Sequence, residues 1–214
     1  MDRGSPSTAS PAGPPRTAGR PRSEALRRAV LDAAYAILVE TGLGSFSIEA
    51  VASRAGVART TIYRWWPTKG LLAIEGFLEA FRPQLAFART GSAAVDFHTF
   101  LRSLALAFNG PAGRVAASVV AQAQSDIEVR RVFLEQFSEP LRRESSALLR
   151  AGVEQGQFRK DLDVPRVLDA AIGAVYLRLL LGQSLEPAWV VSFADTVLEG
   201  CRSRDDWPNA RPDH

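Results

Sequence analysis

Apolar residues recur along most of the chain at steps of three and four, which is the period of an amphipathic helix. In the first such stretch, the apolar positions fall on one stripe: Leu26, Val30, Ala33, Ile37 and Leu38. Glycine, proline and capping residues separate this stretch from those that follow. No useful length of chain alternates apolar and polar residues with the period of two that a half-buried strand requires. The pattern predicts an all-α protein of about nine helices.

The glycine, proline and capping residues between these stretches give the approximate bounds of the helices. They are predicted at residues 22–41, 48–54, 58–65, 68–81, 92–108, 111–124, 125–156, 163–181 and 187–202. Ser125 and Glu128 have the spacing of a capping box at the start of the seventh helix, and Pro140 should bend that helix. Residues 82–90 are expected to form an extended link, because Pro83 disfavours helical angles in the residue before it.

The same pattern divides the chain into regions. Residues 1–21 contain five prolines and no apolar run, so we expect a disordered tail there. Residues 22–67 form a first helical domain, residues 68–204 a second, and residues 205–214 a flexible tail. The longest uncharged apolar run, 170–177, is far shorter than the roughly 20 residues of a membrane span, and the tail lacks the apolar centre of a secretory signal. We therefore expect a soluble, cytoplasmic protein with no membrane partner.

Composition argues against catalysis. Cys201 is the only cysteine, so the chain cannot form an intrachain disulfide or a thiolate metal cluster. His98 and His214 are the only histidines, which leaves too few for a histidine metal site or a catalytic histidine relay. Carboxylates are scattered singly, and no glycine-rich phosphate loop is present. The sequence predicts that the protein is not an enzyme and that it needs no metal or other cofactor.

Charge is distributed unevenly. Residues 1–70 carry ten Lys or Arg against five Asp or Glu, which gives +5, whereas the remainder carries sixteen against eighteen, which gives −2. A basic front third beside a near-neutral body suggests that the front meets a polyanion. A solvated basic face without a partner is the alternative.

The basic third has the order helix, short helix, glycine turn, short helix, which is that of a helix-turn-helix. Ala52 and Gly56 are expected to be small because the two helices cross closely there. Residues 47–72, SIEAVASRAGVARTTIYRWWPTKGLL, closely resemble the N-terminal domain of the TetR family of bacterial transcription regulators. The likeness is densest in TTIYRWWPTKGLL and extends over about residues 22–72.

This resemblance implies that residues 58–65 are a recognition helix for double-stranded DNA. The DNA-contacting positions that it implies are Ser47, Arg59, Thr60, Thr61, Tyr63, Arg64, Trp65 and Lys69. Trp65 departs from the family, where a histidine is frequent. Side-chain chemistry gives similar roles, since Arg59 can grip a guanine edge, the threonine methyls can meet a thymine methyl, and Tyr63 and Lys69 suit phosphates. Partly buried packing is the alternative for Tyr63, and Ile62 and Trp66 are predicted to be core.

Residues 73–204 resemble the family's C-terminal domain more weakly, through their helical order and AVYLRLLLGQSLEPAW. That likeness implies a homodimer in which the last two long helices pair with their copies as a four-helix bundle. Independently, residues 164–181 carry only three charges, so that helix is apolar on more faces than one core covers. The candidate interface residues are Leu168, Ile172, Val175, Leu179, Trp189, Phe193 and Val197. Full burial inside a monomer is the alternative.

Aromatic residues of the second region share helix faces and could line a cavity, and the family resemblance implies a small apolar effector there. The candidate lining residues are Phe97, Phe100, Leu104, Phe108, Phe133, Phe137 and Tyr176. An ordinary aromatic core is the alternative reading. Together these observations predict a DNA-binding transcriptional regulator, a repressor that a small apolar effector releases from a palindromic operator. A DNA-binding architectural protein of the same fold without an effector is the alternative function.

Overall fold

The structure, a computed structural model, describes residues 20–202. Its helices are α1 (Arg20–Thr41), α2 (Ile48–Ala55), α3 (Arg59–Trp65), α4 (Lys69–Phe81), α5 (Ala93–Phe108), α6 (Pro111–Gln122), α7 (Ile127–Phe133), α8 (Glu139–Glu154), α9 (Val164–Leu180) and α10 (Pro187–Glu199). A π-helical segment, Leu134–Ser138, joins α7 to α8 without a break. Residues 20–202 therefore contain nine separate helices and no strand, which confirms the predicted fold class.

The predicted tails fall mostly outside the described residues. Residues 1–19 and 205–214 lie outside them, and α1 begins at Arg20, two residues before the predicted start. Within residues 20–202, no single helix is long and apolar enough to cross a membrane. Only α5 and α6 taken together have the length and composition for a span, and they meet at an angle of 88°.

The head of the molecule, which we define as α1 to α3, is held together by a small apolar core. Ile62 and Trp66 are fully buried in it, as predicted. Gly56 adopts the left-handed conformation, with φ of +67°, and ends α2 so that the chain can turn into α3. The expectation that Gly56 must be small because helices cross there is wrong, since a Cβ at this position would meet no atom within 4 Å. The positive φ is what requires glycine.

The body of the molecule, which we define as α5 to α10, is built around α5, which packs against α6, α8, α9 and α10. Helix α4 connects the head to the body because it packs along α1 and also reaches α6 and α7. A short 3₁₀ turn, Arg82–Gln84, follows α4, so the predicted extended link begins only at Leu85.

Two details of the α7–α8 helix differ from the prediction. Asp126, not Ser125, caps α7, and its carboxylate accepts hydrogen bonds from the backbone N–H groups of Glu128 and Val129. The bend at Pro140 stays a prediction; what the structure shows is a π-helical segment, Leu134–Ser138, that ends two residues before Pro140. Proline has no N–H to donate to the carbonyl of Gln136, and the guanidinium of Arg82 donates to that carbonyl instead.

Candidate nucleic-acid interface

Helix α3 buries one side chain and presents polar side chains on the rest of its surface. Ile62 is the buried residue, Thr61 and Trp65 are half-buried, and Arg59, Thr60 and Arg64 are exposed. Tyr63 is 49% exposed, so its ring is not part of the core. The side chains that the sequence assigned to DNA contact on this helix therefore lie at or near the protein surface.

Three arginines of the head are held in ion pairs with carboxylates. Arg54 makes a two-contact pair with Glu40, both at 2.8 Å, and Arg27 of α1 contacts Glu75 of α4 at 2.7 Å. Arg59 contacts Glu49 at 3.2 Å. Among residues 23–69, for which the structure describes side chains, the bases without an ion pair are Arg28, Arg64 and Lys69. The cationic surface of α3 is therefore smaller than the sequence count implies.

The two tryptophans after Arg64 have different surroundings. Trp66 is buried, and Trp65 meets it edge to face with 5.5 Å between ring centroids. The Arg64 guanidinium lies 5.6 Å from the centroid of the Trp65 ring. No group in the described part of the chain accepts a hydrogen bond from the Trp65 indole N–H, which stays available as a donor.

Two helix starts carry the remaining predicted contacts. The Ser47 hydroxyl oxygen accepts a hydrogen bond from the Ala50 N–H at 3.2 Å, which caps α2 and leaves the hydroxyl hydrogen free to donate. Thr68 caps α4 in the same way through the Leu71 N–H, and Lys69 is exposed as the first residue of that helix. Both starts offer unpaired backbone N–H groups and the positive end of a helix dipole.

Glu49 also lies at this surface, although the sequence pattern does not assign it to DNA contact. Its carboxylate lies in the first turn of α2, near the positive end of the helix dipole, and also accepts a hydrogen bond from Arg59 at the start of α3. Hydrogen bonds from its own backbone N–H and from Arg59 lower the pKa of Glu49. The signal available in the sequence was a single carboxylate two residues after Ser47, a predicted DNA contact.

The seven candidate lining residues of the body do not form one group. Phe108, Phe133, Phe137 and Tyr176 join Phe77 and Phe81 of α4 in an aromatic core, in which each ring lies 5.0–6.2 Å from a neighbour. Phe100 packs instead with Phe87 of the link, and Phe97 packs against Phe100. Leu104 is fully buried. The rings contact one another as they would in an ordinary aromatic core, and the cavity that they were expected to line stays a prediction.

The edge of the aromatic core is open beside α9. Phe108 also lines a cleft of about 290 Å³ that Asn109, Arg114 and Leu179 border. Tyr176 contacts Phe108, and burial raises the pKa of its hydroxyl. Phe108 therefore borders both the packed rings and an open cleft.

Three of the predicted interface residues are misplaced. Leu168, Ile172 and Val175 are buried within the single chain, where a partner cannot reach them, because this face of α9 packs on α5 and α8. The exposed row lies on the other side of α9: Ala170, Gly173, Leu177, Leu180 and Leu181. Leu179, Trp189, Phe193 and Val197 are half-buried.

A helix-turn-helix whose second helix exposes basic and hydroxyl side chains defines a DNA-binding protein. Comparison with known sequences gives the family. Residues 30–75 match the bacterial regulatory proteins of the tetR family, and residues 87–197 match the tetracyclin repressor-like C-terminal domain. The chain belongs to the TetR family and is a DNA-binding transcription regulator.

Individual relatives agree with this assignment. An uncharacterised HTH-type transcriptional regulator of Bacillus subtilis, YdeS, is 30% identical over 86% of this chain and 94% of its own length. A DNA-binding transcriptional repressor, TetR, of Mycobacteroides abscessus is 25% identical over 83% of this chain and 94% of its own. The crystal structure of the TetR family transcription regulator SCO0332 superposes with a TM-score of 0.72 and 34% identity, covering 82% of this chain and 97% of that one.

Proposed function

We propose that the protein is a homodimeric repressor that binds a near-palindromic DNA operator and leaves it when a small apolar or amphipathic molecule binds in the body. The similarity to a named transcriptional repressor supports the direction of regulation. The position of α4 supports release by an effector, and it is the observation on which the proposal mainly rests.

Helix α4 has one end in the head and the other in the aromatic core. Its first residue, Lys69, follows the recognition helix after three residues, whereas Phe77 and Phe81 contact Phe137 at 6.2 and 5.4 Å between centroids. A Cβ at Gly76 would lie 2.9 Å from the Cβ of Ala34, so α4 fits closely against α1. Displacing the rings at one end of α4 would therefore carry the head with it.

The far end of α4 is also tied to the π-helical segment. Arg82 donates to the Gln136 carbonyl, and Phe137 in the same segment contacts both α4 phenylalanines. Segments of π-helix occur often at functional sites. A ligand that separates Phe137 from Phe81 would have to move this segment, α4 or both.

The effector acts by preferring a form in which the two recognition helices are wrongly spaced for the operator. About 5.5 kcal/mol of preferential binding takes a population from 1:99 to 99:1. The closely packed rings imply that the ligand-bound form differs from the structure, and the cleft beside Phe108 is the proposed entry.

We assign the DNA contacts by side-chain chemistry. Arg59, Thr60 and Thr61 read bases, and the phosphate contacts are made by Ser47, Tyr63, Arg64, Trp65 and Lys69. For Trp65 the contact is its available indole N–H. A dimer places two such surfaces one helical turn of DNA apart, about 34 Å, or somewhat more.

The dimer forms through the exposed row of α9 and the half-buried stripe of α10. Leu177, Leu180 and Leu181 are 59%, 51% and 62% exposed. On α10, Trp189 and Phe193 stack with 5.0 Å between ring centroids. Apolar side chains at helical spacing on two neighbouring helices suit a four-helix bundle with a second copy.

In vitro selection from random DNA, followed by a compound screen on the selected duplex, tests the proposal. We expect an inverted repeat, a dimer by sedimentation, and release by at least one apolar compound that also raises the melting temperature. If no compound from a broad apolar library does either, the effector-free architectural function is favoured, and the close packing of the rings would be its structural reason.

A matched pair of variants localises the effector. Phe137→Leu alters the aromatic core that α4 enters, whereas Phe97→Leu alters the separate cluster with Phe87 and Phe100. We expect Phe137→Leu to weaken the ligand response about ten-fold or more with operator affinity nearly intact, and Phe97→Leu to leave the response unchanged. Equal responses from the two variants would place the effector elsewhere.

A further inference from the structure

The ion pair between Glu49 and Arg59 joins the starts of the two helices of the helix-turn-helix. Glu49 is the second residue of α2, and Arg59 is the first residue of α3. The pair has one contact, at 3.2 Å, between Nη1 of Arg59 and Oε1 of Glu49. Glu49 also lies two residues after Ser47, the cap of α2. A carboxylate is therefore fixed at the surface proposed to face an anionic polymer.

Stability does not explain this pair. Its side chains are 63% and 60% exposed, and exposed ion pairs contribute little to folding. The other two ion pairs of the head differ from it. The Arg54–Glu40 pair has two short contacts between α2 and α1, and the Arg27–Glu75 pair is partly buried between α1 and α4.

The geometry leaves Arg59 able to read a base while the pair persists. A guanidinium has five N–H donors, and the contact to Glu49 uses only the Nη1 end. The remaining edge can donate two parallel hydrogen bonds to a guanine. A phosphate, in contrast, is attracted mainly by the positive charge of the guanidinium. Because the Glu49 carboxylate neutralises that charge, it weakens the attraction between Arg59 and a phosphate.

We propose that Glu49 is a positioning residue for Arg59, which directs the guanidinium to a base edge and keeps it from binding phosphates of unrelated DNA. Glu49 is then a specificity-determining residue, because it weakens nonspecific binding more than operator binding. The proposal rests on DNA binding through α3 and is independent of repression, of the effector and of the dimer.

The variant Glu49→Gln tests it, with affinity measured on the duplex selected in vitro and on an unrelated duplex of equal length. Freed from its carboxylate, Arg59 gains one phosphate contact on unrelated DNA, which steepens the slope of log affinity against log salt by about 0.9. We expect affinity for the unrelated duplex to rise about five- to ten-fold at 0.1 M salt. Affinity for the selected duplex should change less than about two-fold or fall, so the ratio of the two affinities falls.

Glu40→Gln is the matched control, because it removes the same charge from the Arg54–Glu40 pair of the same head. We expect it to raise both affinities by a similar small factor and to leave their ratio unchanged. If Glu49→Gln behaves in the same way, Glu49 acts only through the overall charge of the head and the proposal is overturned.

A double-mutant cycle with Arg59→Ala tests whether Glu49 acts through Arg59. In the Arg59→Ala background, Glu49→Gln should leave the ratio of affinities and the salt slope unchanged relative to that background. A full effect of Glu49→Gln without Arg59 would mean that Glu49 contacts DNA or repels it by itself, which contradicts the proposal. So would an Arg59→Ala variant that binds both duplexes as the parent does.

Discussion

Helices α3 and α9 both leave a face open after the chain has folded, but the two faces differ in chemistry. Helix α3 buries only Ile62 and exposes arginines and hydroxyls. Helix α9 buries five residues and still exposes a row that contains Leu177, Leu180 and, just past its end, Leu181. A polar open face can remain in water until DNA arrives. A row of neighbouring exposed leucines is typical of a surface that another protein surface covers.

The two faces also differ in what a single residue contributes. On α3 each exposed side chain offers a distinct donor, methyl group or charge, so its role can be assigned singly. On α9 the exposed leucines act as a surface, and the area that they cover matters more than any one of them. Changes on α9 should therefore affect assembly as a whole, and changes on α3 should affect separate steps of recognition.

The largest effect is expected from a charge in the α9 row. Leu177→Glu should yield monomers and weaken operator binding by at least about 100-fold, because an unpaired carboxylate buried in an apolar interface costs several kcal/mol. Sedimentation equilibrium and DNA titration measure the two results. Leu177 is 59% exposed in the single chain, so folding should not suffer.

Leu106→Glu is the control for that variant. Leu106 is 50% exposed on α5 and is not a member of the α9 row, so the same change should leave a dimer with parental affinity for the operator. A Leu177→Glu protein that remains dimeric would remove α9 from the interface. A monomeric Leu106→Glu protein would move the interface toward α5.

The second expected effect concerns the single buried residue of α3. Ile62→Ala should lower the free energy of unfolding by about 2–5 kcal/mol, since it leaves a cavity beneath the recognition helix. Thr60→Ala on the exposed face of the same helix should change it by no more than about 0.5 kcal/mol. Urea denaturation measures both. If Ile62→Ala lowers the free energy of unfolding by less than about 1 kcal/mol, the stability of the head does not depend on close packing of α3.

The head was the more predictable region because its turns and caps are local. Ser47 as the cap of α2, Gly56 at the turn and Ile62 in the core each follow from a residue type and its immediate neighbours. The pairing of Glu49 with Arg59 does not, because it depends on how α2 and α3 are placed relative to each other. The cap of α7 was predicted one residue too early, since Ser125 and Asp126 are both good caps and sequence does not rank them.

The body was less predictable because an almost wholly apolar helix carries no polar face to orient it. The residues of α9 chosen from sequence were Leu168, Ile172, Val175 and Leu179, and three of these four point into the core. Aromatic side chains at helical spacing were grouped as one lining, but contacts between distant helices divide them into two clusters. Contacts between helices that are distant in sequence depend on how the helices pack together. The spacing of apolar residues within one helix does not determine that packing.

The smallest expected effect is the most informative about α3 and its neighbour α4. Lys69→Ala should weaken binding to the selected and the unrelated duplex by the same factor, about five- to ten-fold at 0.1 M salt, because a phosphate contact carries no base information. The slope of log affinity against log salt should become shallower by about 0.9. Lys160→Ala removes the same charge from the loop after α8 and should change neither quantity. If Lys69→Ala changes the base preference of the protein, the first residue of α4 takes part in reading, and the division between base contacts on α3 and phosphate contacts around it fails.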